Sequence, residues 1–377
     1  MVNRKKIIIV IALIVSLISL YLGHFLFNWQ SRKKIVDTMN NESGKSSIDL
    51  PVKYSHISTL INNNRQEIDV LEIDLSTGKA EISPLLSHGR MFGFEELSKI
   101  ISRSNAYAAI NAGFFYEYGD PSGMVVADGR LITKSSGKYP VFTIKGCKAE
   151  ITQIYNEIYM IHNGARIDLT DINRIGKAGN VVLYTPDFGI DNRAATSNTS
   201  VIILNNKVIG INKNSAPTVI PKGGAVLTFF EPYKYDFAAL PIKENDSINF
   251  VCEPEISPDM QAYECGSWIV KDGKSVAPKR DDWVGLLTNR DPRTVVGIKS
   301  DGVVVLMTVD GRQPGYSIGV SSKELAGFLI DYGIRDAAML DGGASTEMIV
   351  QGRIVNKPSN NGKERPLGGA LVVRIKE

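Results

Sequence analysis

Histidine and cysteine are scarce, four and three among 377 residues. His24, His56, His88 and His162 stand in no recognisable catalytic spacing, so neither a Ser-His-Asp triad nor a histidine-ligated zinc is supported. Cys147, Cys252 and Cys265 make no CxxC pair and no disulfide framework, although Cys252 and Cys265 could pair in an exported domain. There is no HExxH and no GxxxxGK[ST]. The acids lack EF-hand spacing, so no metal and no cofactor is expected, although Asp310 and Asp341 would share a cation if they converged. A basic face is missing too. The net charge of +3 comes from 43 basic and 40 acidic residues. Arg4, Lys5, Lys6, Arg32, Lys33 and Lys34 lie in a stretch without acid, which leaves the rest of the chain slightly acidic. Nucleic acid calls for clustered cations on the folded body, so it is not an expected partner. Any chemistry falls to carboxylates, Arg, Asn and hydroxyls.

What is present begins with an apolar run from Ile7 to Phe27, flanked by basic clusters and followed by Trp29. Its length matches a bilayer core of roughly 30 Å, and it ends in no small-residue cleavage site. It reads as a signal anchor. Residues 1–6 would form a cytoplasmic tail, 28–66 a polar stalk, and 67–377 an extracellular domain.

From Ile68 onward, short β-branched runs are joined by two-residue turns. Asp128-Gly129, Asn205-Asn206, Asp272-Gly273 and Asp301-Gly302 are the joints. Two helices are expected. Phe94–Ser102 carries Leu97, Ile100 and Ile101 at helical spacing. The second runs from Ser321 to Tyr332, with Ser321 and Glu324 spaced as a capping box and Gly333 as the stop. The expected class is α+β, mostly antiparallel sheet with hairpins and a few helices, preceded by one transmembrane helix.

Five compact clusters hold the candidate chemistry. Asn111-Ala112-Gly113-Phe114-Phe115 ends a strand in an amide able to bind a sugar, although alone it reads as an Asx-turn. Asn289-Arg290-Asp291-Pro292-Arg293-Thr294 offers Arg293 for bidentate anion contact; a surface ion pair with Asp291 is the plainer reading. Asp310-Gly311-Arg312 follows an apolar strand. Leu340-Asp341-Gly342-Gly343-Ala344-Ser345-Thr346 delivers a carboxylate to a two-glycine turn whose amides can approach an anion. Asn356-Lys357-Pro358-Ser359 continues to Glu364-Arg365-Pro366, a loop stiffened by proline with Arg365 as a second anion-binding candidate.

Together and in this order, the clusters resemble the phosphodiester glycosidase family, from about Asn105 to the C-terminus. The resemblance implies cleavage between a sugar's anomeric carbon and a phosphodiester oxygen. A phosphate leaving group is a weak base, so a strong general acid is not essential, which suits a site without histidine. Asp341, with Asp310 second, would stabilise or attack the oxocarbenium-like sugar or activate water. Arg293 and Arg365 would hold the phosphate, with Arg312 a weaker candidate. Asn111, Ser345 and Thr346 would orient the sugar, and Thr294, Gly342 and Gly343 complete the expected substrate-binding set. The expected substrate is a sugar-1-phosphodiester or phosphoglycan, in envelope or exopolysaccharide material. The competing class is a non-catalytic glycan- or phosphate-binding module, which would use the same Arg and Asn residues without needing Asp341 as a reactive group.

Overall fold

The computed structural model describes residues 50–232 and 241–376. From Pro51 onward they belong to one unit. The apolar run 7–27, the tail before it and the stalk up to residue 49 lie outside the described residues. Within them no helix is long and apolar enough to cross a membrane.

The expected α+β class is corrected to a mostly β one. The described residues hold two α-helices, Leu97–Ser104 and Ser322–Asp331, against sheets of seven, five, five, five, three and two strands. The physical reason lies in the segment from 150 to 265, whose short apolar and β-branched runs pair with one another as strands. It folds into further short strands, from Ile151 in Lys148–Gln153 through Gln261–Glu264, and its described residues form no α-helix.

The anticipated hairpins form. Asp128-Gly129, Asn205-Asn206 and Asp272-Gly273 each place two successive residues at positive φ, the geometry a tight turn between twisted strands requires. Ser321 caps its helix in a full capping box with Glu324, and Gly333 at φ 89° follows it. One boundary moves. Val52–Ile61 and Asn64–Ile73 form a hairpin turned by Asn62-Asn63, so the folded unit reaches back to Pro51 rather than 67.

The seven-stranded sheet is wholly antiparallel. Its central strands are buried on both faces, so they read as continuous apolar runs. Leu71, Ile73, Val296, Ile298, Val304 and Leu306 face one core, shared with Ala108, Ile110, Met348, Leu371 and Val373 of a five-stranded sheet. Val70, Val295, Val305, Met307 and Val309 face a second core under Leu325 and Leu329 of the helix Ser322–Asp331. Side chains alternate along a strand. The face that carries Leu71, Val296 and Leu306 therefore continues to Asp69, Thr294 and Thr308. That core changes from apolar to polar at one end, and the candidate residues gather there.

All three cysteines are free. Cys252 and Cys265 therefore do not pair, and burial pushes the Cys265 thiol up to about 12.

Candidate functional site

The strand Ile334–Met339 delivers Asp341 to the polar end of the core. Two backbone bonds fix the approach: Leu340 N donates to Thr294 O at 2.8 Å, and Asp341 N to Ala112 O at 3.1 Å. Both following glycines are required. A Cβ on Gly342 would stand 2.9 Å from Pro292 O. Gly343 adopts φ +59°, and a Cβ there would come within 3.2 Å of the Arg312 guanidinium.

Asp341 is partly open to solvent, with Ser345 and Arg365 beside it. Burial raises its carboxyl to about 6, opposed by bonds from the Ser345 hydroxyl and the Gly342 amide and by the Arg365 charge. Arg365 Nη1 donates to Ser345 Oγ at 2.9 Å, so carboxylate, hydroxyl and guanidinium form one chain. The Arg365 backbone is held in turn, its N–H donating to Glu347 Oε1 at 2.6 Å. Glu347 is fully buried, and its Oε2 has no partner among the described residues. Burial, aided by Glu364 and Glu96 against the Arg365 N–H, pushes its carboxyl up to about 8.

Asn111 is a bracket rather than a sugar ligand. Its Nδ2 donates to Asp341 O at 2.6 Å, its Oδ1 accepts from Thr294 Oγ1 at 2.9 Å and from Glu347 N at 3.2 Å, and it is buried. Thr294 and Thr346 are buried in the same network, 3.3 Å apart at their hydroxyls. Arg293 does not reach the site's surface. Its guanidinium is buried and donates to Val320 O at 3.1 Å and Asn289 O at 2.9 Å, tying two loops together. Arg312 is exposed and held at 2.9 Å by Asp291 Oδ1.

Asp310 belongs to the same polar layer but points to a second cluster. Its carboxylate accepts from Asn356 Nδ2 at 3.0 Å and from Lys357 N at 2.9 Å, and burial raises it to about 6. Asn356 Nδ2 also donates to Thr346 O at 3.0 Å, which joins this cluster to the Asp341 loop. Next to Asp310, His56 bridges Asp69 Oδ1 and Glu67 Oε2 at 2.9 Å each, and Tyr54 Oη donates to Asp69 Oδ1 at 2.7 Å. Burial alone would lower the His56 pKa; the two carboxylates outweigh it and raise it. Among the described residues no group of three His, Cys, Asp or Glu side chains is placed to hold a metal ion.

Sequence reasoning missed Glu347, Tyr54, His56, Glu67 and Asp69. The available signal was the Asn62-Asn63 turn, flanked by Tyr54, His56 and Ser58 on alternate positions. Gly315-Tyr316-Ser317-Ile318-Gly319 has the GxSxG spacing of a nucleophile elbow, and it too was missed. Ser317 is buried, its hydroxyl 2.7 Å from Asp310 O and 3.1 Å from Gln66 Oε1, so it serves the loop rather than a substrate.

Comparison with known proteins bears on part of the chain. Residues 198–374 match the family described as phosphodiester glycosidase. The match starts later than the expected Asn105, and Asn111–Phe115 lies outside it. The SPbeta prophage-derived uncharacterized protein YomE of Bacillus subtilis (strain 168) is 33% identical over 112 residues, 30% of this chain and 17% of YomE. A hypothetical protein from Synechocystis has a crystal structure that superposes with a TM-score of 0.74 at 18% identity, over 86% of this chain and 62% of that one. The two thus share a fold, and the chain spans less than two thirds of either protein's length. The zebrafish N-acetylglucosamine-1-phosphodiester alpha-N-acetylglucosaminidase catalytic domain, auto-inhibited by its pro-peptide, aligns over 88% of this chain and 86% of that one at 15% identity, with a TM-score of 0.45. The family that the chain resembles is the phosphodiester glycosidase family, and the matched residues 198–374 are those that carry Arg293, Asp310, Asp341 and Arg365.

Proposed function

We propose that the protein is a phosphodiester glycosidase, hydrolysing the bond between a sugar's anomeric carbon and a phosphodiester oxygen. The observation that carries this reading is the Asp341–Ser345–Arg365 chain at the open, polar end of the core. Arg365 is the cation for the diester, and its guanidinium can meet two phosphate oxygens at once. Ionised Asp341 faces C1 and either attacks it or activates water, and Ser345 holds the carboxylate and the guanidinium in one geometry. Water supplies hydroxide to C1, and the phosphate leaves as a monoester carrying the other proton. The leaving group is acidic enough to depart without a strong general acid. The polar core end supplies rigidity: Asn111 fixes the Asp341 carbonyl, and Glu347 fixes the Arg365 backbone. The family match supports the reaction class. The envelope substrate expected from the apolar run 7–27 draws no support from the described residues.

The direct test is release of free sugar from a sugar-1-phosphodiester by the full chain. Asp341→Asn is expected to abolish release, by at least about 10³-fold, with the circular-dichroism spectrum and melting temperature of the wild type. Arg365→Ala is expected to raise KM as well as lower kcat. Release undiminished in Asp341→Asn would remove Asp341 from the reaction, and binding of the diester without turnover by the wild type would select a glycan- or phosphate-binding module.

A further inference from the structure

The seven-stranded sheet ends in two unlike edges. One is Lys274–Ser275, two residues long and close to the exposed Lys271. The other is Val52–Ile61, ten residues long, which among the described residues pairs only with Asn64–Ile73. A free edge is a template for another strand, and folded proteins guard it with proline, charge, a bulge or brevity. Edges of the other sheets follow that rule. Ala80–Leu86 carries Glu81 and Pro84, Lys148–Gln153 carries Lys148 and Glu150, and Lys207–Asn214 is bulged at Ile209. Val52–Ile61 has no proline and keeps register with its neighbour through all ten pairs. Its one lysine, Lys53, stands near the start, and His56 is engaged by Asp69 and Glu67.

The turn decides which backbone groups are free. Asn62 and Asn63 both take positive φ, so Ile61 and Asn64 close a two-residue hairpin as a hydrogen-bonded pair. Such pairs alternate along an antiparallel ladder. Lys53, Ser55, Ile57, Thr59 and Ile61 therefore turn their backbone groups inward, and the 2.8 Å bond from Asp74 N to Pro51 O continues the series. Tyr54, His56, Ser58 and Leu60 turn theirs outward, and the Leu60 side chain is 67% exposed.

This free row is complementary to itself. When the strand runs antiparallel to its own copy with Ile57 at the centre, His56 stands opposite Ser58 and Tyr54 opposite Leu60. Lys53 then faces Ile61, so no charge meets its like. A shift that set His56 against its own copy would oppose two carboxylate-bound imidazoles. In the first register every outward N–H and C=O of residues 54–60 finds a partner, and the Tyr54 ring covers Leu60.

We infer that Val52–Ile61 is the contact of a two-fold dimer of this chain, joining two seven-stranded sheets edge to edge through residues 54–60. The axis is normal to the sheet, so the polar layers of both copies lie on one face and both helices Ser322–Asp331 on the other. The contact is one pair of strands, smaller than a standard interface, so association is reversible, with a Kd on the order of 1–100 µM. The inference stands apart from the proposed reaction.

Sedimentation velocity on the full chain, in detergent to accommodate the apolar run 7–27, reads the mass across that range of concentration. The wild type should pass from one copy to two. Leu60→Lys supplies the missing charge at an exposed position, and should raise the dimer Kd at least about tenfold with the melting temperature unchanged. Ile57→Cys tests the register, in a Cys147→Ser background because Cys147 is free and exposed. Oxidation should link the two copies, since side chains directly opposite have Cβ atoms about 4.5–5.5 Å apart. Leu60→Cys in the same background should stay unlinked. A wild type monomeric up to about 100 µM, a dimer equally tight in Leu60→Lys, or an Ile57→Cys variant that forms no cross-link would each overturn the inference.

Discussion

Burial raises four carboxyls in the polar layer, Asp69, Asp310, Asp341 and Glu347, and the last three separate by what each can do. Asp341 alone is partly open, next to a cation and a hydroxyl. If its ionised form is the reactive one, kcat/KM rises with pH through about 6 and levels above it. Asp310 is also brought to about 6, but its oxygens are taken by Asn356 and Lys357. Asp310→Asn should therefore keep the rise near 6 while lowering stability; a variant whose pH profile loses that limb would move the reactive role to Asp310. Glu347 is different again. Its carboxyl is raised from 4.5 to about 8, so between those values the folded chain holds a proton that the unfolded chain has released. Stability must fall as pH rises across that window, by about 1.4 kcal/mol for each pH unit crossed. Glu347→Gln cannot titrate. In urea unfolding, the wild type should lose on the order of 2–4 kcal/mol relative to this variant between pH 5 and pH 8. Parallel stability curves would show that Glu347 is already ionised.

Short elements were the most legible part of the sequence, where local chemistry decides them. Asp128-Gly129, Asn205-Asn206 and Asp272-Gly273 set positive φ at two successive positions, Asp301-Gly302 only at the glycine, and the Ser321–Glu324 spacing specifies a helix start. The capping box makes a further prediction. Burial works against the Glu324 charge, but Arg290, the Ser321 amide, Asn62 and the Ser321 hydroxyl outweigh it and bring the carboxyl down to about 2. A depressed acid stabilises above its unfolded pKa and loses that contribution as pH falls toward the folded one. Glu324→Gln should cost roughly 1–3 kcal/mol at pH 7 and converge on the wild type near pH 2. A constant gap at both pH values would contradict the linkage. The edge hairpin from Val52 was not legible, because its outer strand mixes polar and apolar residues with four of its ten exposed, and that pattern resembles a solvated stalk. Asn62-Asn63 was the turn signal that could have corrected it.

At the level of the fold, the candidate residues proved to be of two kinds that sequence could not separate. Arg293 and Arg365 look alike as arginines beside proline. Only the tertiary structure seals Arg293 under the loops at Asn289 and Val320 and leaves Arg365 at the opening. Asn111, Thr294 and Thr346 likewise brace the site from inside. Arg293→Ala should therefore lower stability by roughly 2–5 kcal/mol, since it strips buried carbonyls of a charged donor, and leave KM for the diester near the wild-type value in molecules that still fold. A large KM increase with unchanged stability would return Arg293 to the binding site. The convergence of Asp341 with Arg365 was legible only through family resemblance, because no local pattern joins a strand end to a loop more than twenty residues away.

The central claim is that Asp341 works at carbon and not at phosphorus. Hydrolysis of a sugar-1-phosphodiester by the full chain in oxygen-18 water tests it most directly, with mass spectrometry of both products. The account predicts the label in the released sugar and none in the phosphate; label in the phosphate would mean P–O cleavage and would contradict it.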